Sequence, residues 1–365
     1  MSPVRPLELD DIPEVASLYE AVSRSGSRTP PPRLAQYFAR TFLDHPWVDP
    51  QIPSLVFETG DGRIGAFIGS HVRALRFNGR RIRVGCSGQL VSDPAAGGRG
   101  AGALLLRRYL CGPQDLTITD GATPQVRQMW EQLGGSTSFF SSLSWTRFFR
   151  PFRFAGDHLL ERRGGASWRP LLRPLSSALD GLAARACGPL LRMARPPTRG
   201  EQLTPQALLE HLPSVAGRLR VRPDYDEESL RWLFQEAARV ATRGDLARQL
   251  VRDHNGRALG WYVAYLRPGG VGHVLQIAAR DRDVAAVIDH LFHHAWRSGA
   301  TALRGRCEPL LFTPLRQRHC HLRHDALVLV HSRDASLVHA VLTGDGLVTR
   351  MEGEWWMGHH IEPFA

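Results

Sequence analysis

The sequence of 365 residues contains no lysine, so its 46 permanently basic side chains are all arginine. Without lysine, the Gly-Lys-Ser/Thr sequence of a P-loop nucleotide site cannot occur. Together with abundant Ala, Gly, Pro and Arg, the absence is typical of a GC-rich coding bias. The net charge of +11 is therefore weak evidence for a nucleic-acid partner. Because no nucleic-acid-binding motif accompanies the charge, we expect no such partner.

Cysteine is also scarce, with five residues scattered along the chain and no Cys-x-x-Cys pair. The odd number argues against a disulfide framework and for reduced thiols. No apolar run approaches the ~20 residues that span a bilayer. The first residues, MSPVRPLELDD, lack the apolar core of a secretory signal. We therefore expect a cytoplasmic protein.

Histidines cluster in the second half of the chain, and a metal site is one interpretation of them. The cluster comprises His293, His294, His319, His321 and His324, with Cys320 among them. Their spacing fits no established metal motif. Arg316, Arg318 and Arg323 stand in the same stretch and oppose a bound cation. We therefore expect no metal.

Hydrophobic periodicity predicts a similar order of elements in both halves of the chain: helix, three strands, helix, strand, helix and strand. Between residues 150 and 200, arginine, proline and glycine increase and regular strand patterning ends. We therefore predict a first domain at 1–149, a basic linker at 150–200 and a second domain at 201–365. Strands over 139–149 are expected to close the first sheet, and 353–357 is expected to form a final strand.

A glycine-rich turn links a strand to a helix in the first domain. The strand ends at Val91-Ser92-Asp93-Pro94, the turn is Gly97-Gly98-Arg99-Gly100-Ala101-Gly102, and Ala103 to Leu110 has helical spacing. Glycines allow a close approach to the backbone, and the first N–H groups of a helix attract an anion. The dinucleotide fingerprint does not fit, because no acidic residue ends a second strand at the usual distance.

This stretch resembles the acyl-CoA loop of the GNAT N-acetyltransferase superfamily, Gln/Arg-x-x-Gly-x-Gly/Ala after a Val-x-x-Pro-like strand end. Gly97 stands at the first position of the motif. The resemblance implies an α/β (α+β) fold of two GNAT-like domains, each a mixed, mostly antiparallel sheet flanked by helices. It also implies acetyl-CoA as cosubstrate and an amine as acceptor. The main chain of Leu90 and Val91 would bind the pantetheine arm. The pyrophosphate would be held by the main chain of Arg99, Gly100, Ala101, Gly102 and Ala103.

Three side chains are candidates for chemistry in the first domain. Asp120, at the end of a strand, is the predicted base, although an exposed turn carboxylate is the alternative. Trp130 stands where many family members have a tyrosine that protonates the CoA thiolate, and an indole N–H is not a usable acid. Cys86 is either a nucleophile or a small residue that packs in a central strand.

The second domain departs from the family at its strand-to-helix turn, 278–283, which has no glycine. Asp281 and Asp283 in this turn would repel a pyrophosphate. We therefore expect a degenerate copy that does not bind CoA. Leucines recur at helical spacing in 168–195 with arginines beside them. That segment either contacts a membrane surface weakly or packs as a linker helix.

These observations predict an acyl-CoA-dependent N-acyltransferase that transfers acetyl from acetyl-CoA to an amine. One alternative is a non-catalytic acyl-CoA-binding or scaffold protein, which Gly97 and Trp130 favour. Another is a membrane-surface acyltransferase for polysaccharide or lipid precursors, which the basic segment favours. The acceptor, the acyl chain length and the oligomeric state stay open.

Overall fold

The computed structural model describes residues 3–96, 100–162, 169–186, 188, 191, 193–357 and 364. Within them the chain forms two compact units. The first comprises Met1–Ser142, Leu219–Glu236 and Ala326–Ala365, and the second comprises Leu143–Arg218 and Ala237–Asp325. None of the described helices combines the length and the hydrophobicity needed to cross a bilayer.

The strands of the described residues are numbered in chain order. They are β1 (Val4–Pro6), β2 (Leu55–Glu58), β3 (Ile64–Phe77), β4 (Arg80–Ser92), β5 (Leu116–Ala122), β6 (Ser136–Ser138), β7 (Leu143–Phe148), β8 (Arg199–Gln202), β9 (Val221–Pro223), β10 (Asp245–Arg252), β11 (Ala258–Leu266), β12 (Val271–Ala279), β13 (Ala302–Arg306), β14 (His321–His324) and β15 (Leu327–His331).

The α-helices are numbered in the same way. They are α1 (Ile12–Tyr19), α2 (Pro32–Phe42), α3 (Ala101–Leu110), α4 (Pro124–Gln132), α5 (Pro151–Arg162), α6 (Arg169–Ala186), α7 (Pro205–Ala216), α8 (Glu227–Ala238), α9 (Val284–Arg297), α10 (Pro309–Gln317) and α11 (Ala335–Thr343). Short 3-10 turns include Pro94–Ala96 and Trp355–Met357.

The sheet of the first unit has the order β1-β2-β3-β4-β5-β15-β6, and β9 pairs with β3. Its pairs are antiparallel except β4 with β5, which is parallel. Nearly every residue of β3 is buried, because side chains on both faces of this strand are covered. Leu105, Leu106 and Tyr109 of α3 pack in one core cluster with Ile68 of β3. Helix α3 is thereby held close to the strands of the candidate site.

The sheet of the second unit has the order β14-β7-β13-β12-β11-β10-β8. Here the parallel pair is β12 with β13. Helix α9 buries an apolar face at helical spacing, as the sequence predicts, and this face joins a core cluster with Trp145 of β7 and Leu303 of β13. The expected fold class, mixed and mostly antiparallel sheets flanked by helices, is confirmed.

The compact units differ from the continuous segments 1–149, 150–200 and 201–365. Strand β7 belongs to the second sheet, so the prediction that 139–149 closes the first sheet is wrong for this strand. Strand β15 from the second half lies between β5 and β6 of the first sheet. The reason is physical: alternating hydrophobicity predicts that a segment is a strand, but it does not specify the partner strand.

The C-terminal part of the first unit also differs from its prediction. The segment 353–357 is a turn ending in a 3-10 helix instead of a final strand. Its conformation is set by the buried carboxylate of Asp120, which accepts hydrogen bonds from the N–H groups of Glu354 and Trp355, both at 2.9 Å. Helix α11 is a further element that the sequence analysis does not predict.

Candidate active site

The first N–H groups of helix α3, at the end of the glycine-rich turn, have no acceptor within the helix. Gly100 precedes the helix with φ +90°, a backbone conformation that residues other than glycine rarely adopt. The first helical bond runs from the N–H of Leu104 to the carbonyl of Gly100, at 2.9 Å. The N–H groups of Ala101, Gly102 and Ala103 therefore have no acceptor within the helix and form an anion-attracting end. Of the predicted loop residues, Gly97, Gly98 and Arg99 lie outside the described residues.

A β-bulge shapes the strand that leads into this turn. Phe67 pairs with Val91 and Gly69 pairs with Gly88, so one residue of β3 faces two residues of β4. Within the bulge, Gln89 has φ +51°. An extra residue of this kind interrupts the ladder and turns nearby main-chain groups away from the neighbouring strand. The bulged residues are Gln89 and Leu90, so the bulge includes the first of the two predicted pantetheine-binding residues.

Strands β4 and β5 diverge next to the bulge. Their parallel pairing runs from Val84 with Leu116 to Cys86 with Ile118. Beyond these pairs β4 continues to Ser92 and β5 to Ala122, but no pair joins them. The divergence contains a cavity of about 170 Å³. Its lining includes Tyr19, Leu90, Val91, Thr119, Trp130 and Glu354.

Glu354 reaches into the divergence from the C-terminal part of the first unit. Its carboxylate accepts hydrogen bonds from the N–H groups of Asp120 at 3.1 Å and Gly121 at 3.0 Å. The hydroxyl of Thr119 and the thiol of Cys86 also donate to this carboxylate, the thiol at 3.2 Å. The Glu354 carboxylate thus accepts hydrogen bonds from main-chain N–H groups of β5 at the point where the pairing of β4 with β5 ends.

The surroundings of Glu354 favour its protonated form. Only 5% of the residue is exposed. Burial raises the pKa of Glu354 well above its usual value, and the nearby Asp120 raises it further. A carboxyl group with a raised pKa in a cavity is suited to general acid–base chemistry near neutral pH.

Asp120, the base predicted from the sequence, contacts the turn that carries Glu354. It is buried, and one carboxylate oxygen binds the two N–H groups of the turn that carries Glu354. Thr119 and Gly121 are among the described residues that line the cavity, whereas Asp120 between them is not. The catalytic role of Asp120 stays a prediction, and its position shows that it supports Glu354.

Tyr19, Trp130 and Trp355 are the aromatic residues among the described lining of the cavity. Trp130 is fully buried, and its indole N–H donates to the carbonyl of Val330 at 3.0 Å. Tyr19 is also buried, and burial raises the pKa of its hydroxyl, which therefore stays protonated at neutral pH. A protonated phenol is a hydrogen-bond donor, and the indole donates its single N–H to Val330.

Cys86 does not have the properties of a nucleophile. Burial, together with Glu354 and Asp120, raises the pKa of its thiol well above the usual value. Because the thiolate is the reactive form, a thiol that stays protonated and donates to Glu354 is unreactive. The packing interpretation of Cys86 therefore fits the structure.

In the second unit, the turn before α9 has no comparable opening for an anion. The carboxylate of Asp283 accepts hydrogen bonds from Arg257 at 3.1 Å and Arg280 at 2.9 Å. Throughout the part of the chain that the structure describes, no group of three or more His, Cys, Asp or Glu side chains is placed to hold a metal ion. Of the basic segment 168–195, residues 168, 187, 189, 190 and 192 lie outside the described residues.

This chain has the GNAT fold, which it shares with several solved structures. Among solved structures, a conserved protein from Enterococcus faecalis described as a probable N-acyltransferase is similar, with a TM-score of 0.56 and 11% identity over 90% of this chain and 71% of that chain. A GCN5-related N-acetyltransferase from Kribbella flavida has a TM-score of 0.54 and 15% identity over 91% of this chain and 71% of that one.

Saccharomyces cerevisiae N-myristoyltransferase with bound myristoyl-CoA is similar too, with a TM-score of 0.50 and 9% identity over 90% of this chain and 81% of that one. No protein-family model and no curated protein matches the sequence. At these identities the similarity shows the fold, and the resemblance recognised from the glycine-rich turn is confirmed at that level.

The structure brings most of the predicted site residues together. Leu90 and Val91 line the cavity, and Gly100 to Ala103 form the beginning of the helix beside them. The sequence analysis missed Tyr19 and Glu354 as site residues, and a signal in the sequence existed for Glu354 alone. One signal was present: a carboxylate within Gly353-Glu354-Trp355-Trp356-Met357, a stretch otherwise suited to a buried environment.

Proposed function

We propose that this protein is an acyl-CoA-dependent N-acyltransferase that transfers an acetyl group to an amine. The observation that carries the proposal is the buried carboxyl of Glu354 within the divergence of β4 and β5, beside the open N-terminus of α3. One end of this arrangement suits a diphosphate, and the other suits removal of a proton from an attacking amine.

In this proposal, the main chain of Leu90 and Val91 binds the pantetheine arm, and that of residues 99–103 binds the pyrophosphate. The deprotonated form of Glu354 accepts the proton of the amine as the nitrogen attacks the thioester carbonyl, and Asp120 holds the turn that carries Glu354. Tyr19 donates a hydrogen bond to the departing sulfur. A cavity of about 170 Å³ is small, which favours acetyl over a long acyl chain.

We also propose that the first unit holds the catalytic site and that the second is a degenerate copy. Two observations support this division. The turn at 278–283 has no glycine, and the carboxylate of Asp283 in this turn is paired with Arg257 and Arg280. We place the protein in the cytoplasm on its cysteine usage.

Acetyl-CoA binding by calorimetry tests the proposal, with Gly102→Glu and the matched control Gly102→Ala. A Cβ at Gly102 would lie 3.6 Å from Ser92 and 3.9 Å from Leu90, which is ordinary contact, so alanine fits. Glutamate adds a negative charge where the pyrophosphate would bind. We expect wild type and Gly102→Ala to bind and Gly102→Glu to lose binding. A folded wild type that does not bind acetyl-CoA would refute the proposal.

Turnover separates an enzyme from a non-catalytic acyl-CoA-binding protein. Release of free CoA thiol is measured with acetyl-CoA and a panel of amines, for wild type and Glu354→Gln. An enzyme releases thiol with at least one amine and loses most of this activity in the variant. Binding of acetyl-CoA without thiol release for any amine would favour the scaffold interpretation.

A second candidate function, acyl transfer at a membrane surface, is favoured by the exposed face of α6. Leu175, Leu179 and Leu182 lie at helical spacing and are 61%, 38% and 58% exposed. Arg173 and Arg185 are exposed on the same helix. Apolar and basic groups together suit an anionic lipid surface. Co-sedimentation with vesicles containing anionic lipid, compared with neutral vesicles and with a Leu175→Gln/Leu182→Gln variant, distinguishes this candidate from an enzyme without membrane contact.

A further inference from the structure

A cavity of about 500 Å³ lies in the second unit, at the beginning of β12. Trp145 and Leu303 belong to the same core cluster as the apolar face of α9. Because neighbouring residues of a strand point to opposite faces, Thr146 and Arg304 lie on the other face of the sheet, and both line the cavity. The cavity is therefore on the sheet face that α9 does not cover. Its volume is in the range of small-molecule sites.

Four strands contribute polar residues to the cavity in one row. His273 of β12 pairs with Arg304 of β13. Thr146 of β7 pairs with Arg304 on one side and with His321 of β14 on the other. All four residues line the cavity. Adjacent strands are about 4.8 Å apart, so the row spans roughly 14 Å. A single small ligand can therefore contact side chains from several strands.

The lining of the cavity is strongly basic. Its described residues include one carboxylate, Asp157, and four arginines: Arg173, Arg267, Arg304 and Arg323. Three of these arginines are exposed and Arg304 is half-buried, so solvent and ligands can reach the lining. A cleft lined by charges of one sign concentrates ions of the opposite sign. The cavity should therefore attract anions.

The arginine charges are compensated only in part. Arg304 donates to the hydroxyl of Thr146 at 3.4 Å, and among the described residues no carboxylate pairs with Arg304 or Arg267. Arg323 pairs with Asp325 at 3.8 Å. Burial lowers the pKa of Arg304, and the positive charge of Arg323 lowers it further. Two cations that repel each other beside a cavity are stabilised when an anion binds between them.

One side of the cavity is aromatic. Phe148 of β7 and Phe154 of α5 make an edge-to-face contact with ring centres 4.8 Å apart. The ring of His158, one turn further along α5, is nearly parallel to that of Phe154. All three residues line the cavity. Such a wall suits a ring or another apolar group of a ligand.

The cavity is distinct from the turn at 278–283, where a CoA pyrophosphate would bind if the second unit were not degenerate. Strand β12 runs from Val271, which lines the cavity, to Ala279, which belongs to that turn. At about 3.3 Å per residue, the two ends of the strand are roughly 26 Å apart. All described residues of the lining belong to the second unit.

We infer that this cavity binds a small phosphorylated molecule, with its phosphate groups on the arginines and its ring or apolar part against Phe148 and Phe154. A guanidinium binds phosphate oxygens through paired hydrogen bonds. A phosphate monoester carries about 1.5 to 2 negative charges near neutral pH, so it compensates more than one arginine. A single carboxylate would leave the rest of the positive charge uncompensated. The site goes beyond the acyltransferase proposal and does not depend on it.

Calorimetry with pyrophosphate, AMP, ADP and adenosine tests the inference. Adenosine has the ring of the two nucleotides but no phosphate, so the comparison isolates the charge. All titrations use the Gly102→Glu variant as parent, in which the anion site proposed at α3 is blocked. Arg267→Gln, in an exposed turn, and Arg304→Gln are the test variants. The matched control is Arg297→Gln, an exposed arginine at the end of α9 that is outside the described lining.

We expect ADP to bind about 10- to 100-fold more tightly than adenosine, the range of a hydrogen bond to a charged group. Pyrophosphate should bind more weakly than ADP, because it lacks a ring for the aromatic wall. Arg267→Gln and Arg304→Gln should each lose most of the preference for ADP over adenosine, and Arg297→Gln should keep it. Without ligand, Arg304→Gln should melt at or above the Tm of its parent, since it removes the repulsion from Arg323.

Equal binding of ADP, AMP and adenosine would overturn the inference, and so would a folded parent that binds none of the four probes. Retention of the phosphate preference in both Arg267→Gln and Arg304→Gln would place the bound phosphate elsewhere. An equal loss in Arg297→Gln would reduce the effect to net charge. Each of these outcomes leaves the acyltransferase proposal intact, because the parent lacks the α3 site. Failure of the wild type to bind acetyl-CoA would in turn leave the phosphate site intact.

Discussion

Replacement of Glu354 by glutamine should change how stability depends on pH. The carboxyl has a folded-state pKa above its unfolded value of 4.5, because it is buried beside Asp120. The folded state therefore holds this proton more tightly than the unfolded state does. The resulting stabilisation is fully present below pH 4.5 and is lost as the pH rises toward the folded-state pKa. Glutamine has the same size and no proton to lose.

The magnitude follows from linkage. For each pH unit above 4.5, up to the folded-state pKa, the wild type should lose about 1.4 kcal/mol of stability relative to Glu354→Gln. Other titrating groups are common to both proteins, so the difference reports the Glu354 carboxyl together with its interactions with Asp120 and Cys86. The variant also keeps an oxygen that can accept from the N–H groups of Asp120 and Gly121. We therefore expect it to fold.

Urea unfolding at several pH values from 5 to 7 measures this difference, with tryptophan fluorescence as the signal. Infrared difference spectra of wild type and variant provide a second measurement, since a protonated carboxyl has its own C=O band. A difference in stability that does not change with pH, together with no such band, would refute the reasoning on Glu354. If the carboxyl is the base, thiol release should increase with pH as Glu354 loses its proton.

Three further predictions concern packing and acid stability. Gly135→Ala would place its Cβ 1.8 Å from the ring of Trp130 and should lower the free energy of unfolding by about 1–3 kcal/mol. The control is Gly156→Ala, which has no atom within 4 Å of its Cβ. It should change the free energy of unfolding in urea little or raise it by about 0.5–1 kcal/mol. Trp130→Phe removes the donor to Val330 and should cost about 1–3 kcal/mol in the same assay, and an unchanged midpoint would contradict the hydrogen bond as described. Burial lowers the pKa of His45 to about 3 in the folded protein, so the folded state binds this proton less tightly than the unfolded state does. The contribution of the neutral His45 ring to the free energy of unfolding is therefore fully present above pH 6.5 and is lost as the pH falls from 6.5 toward 3. Between pH 6.5 and 4.5 the wild type should lose about 1.4 kcal/mol per pH unit relative to His45→Phe, and parallel curves would show that His45 is not buried as a neutral ring.

Local signals in the sequence predicted most elements of both units. The pairs Asn78-Gly79 and Asn255-Gly256 favour tight turns, and the structure has left-handed φ angles at Asn78, Gly79 and Gly256. The apolar spacing of α9 and the glycine-rich turn before α3 are also local signals, because each depends on a few neighbouring residues. The glycine-rich turn also predicted the fold through its resemblance.

The pairing of distant segments could not be predicted in the same way. Strand β15 has the composition of any buried strand, and nothing in its five residues specifies β5 and β6 as neighbours. Glu354 was missed for a related reason. The position of its carboxyl group depends on hydrogen-bond donors from Thr119 to Gly121, more than 230 positions earlier in the chain. A bond across that separation leaves no periodic signal in one sequence.

The insertion of β15 between β5 and β6 has a consequence for synthesis on the ribosome. When Ser138 at the end of β6 has been made, the strand that joins β6 to β5 is still 189 residues away, since it begins at Leu327. At 5–20 residues per second, that interval lasts roughly 10–40 s. During this time the nascent chain carries a β5 edge that has no permanent neighbour, and such edges recruit other chains. Translation speed and chaperone supply, more than the equilibrium stability of the finished protein, should therefore control its yield in a foreign host.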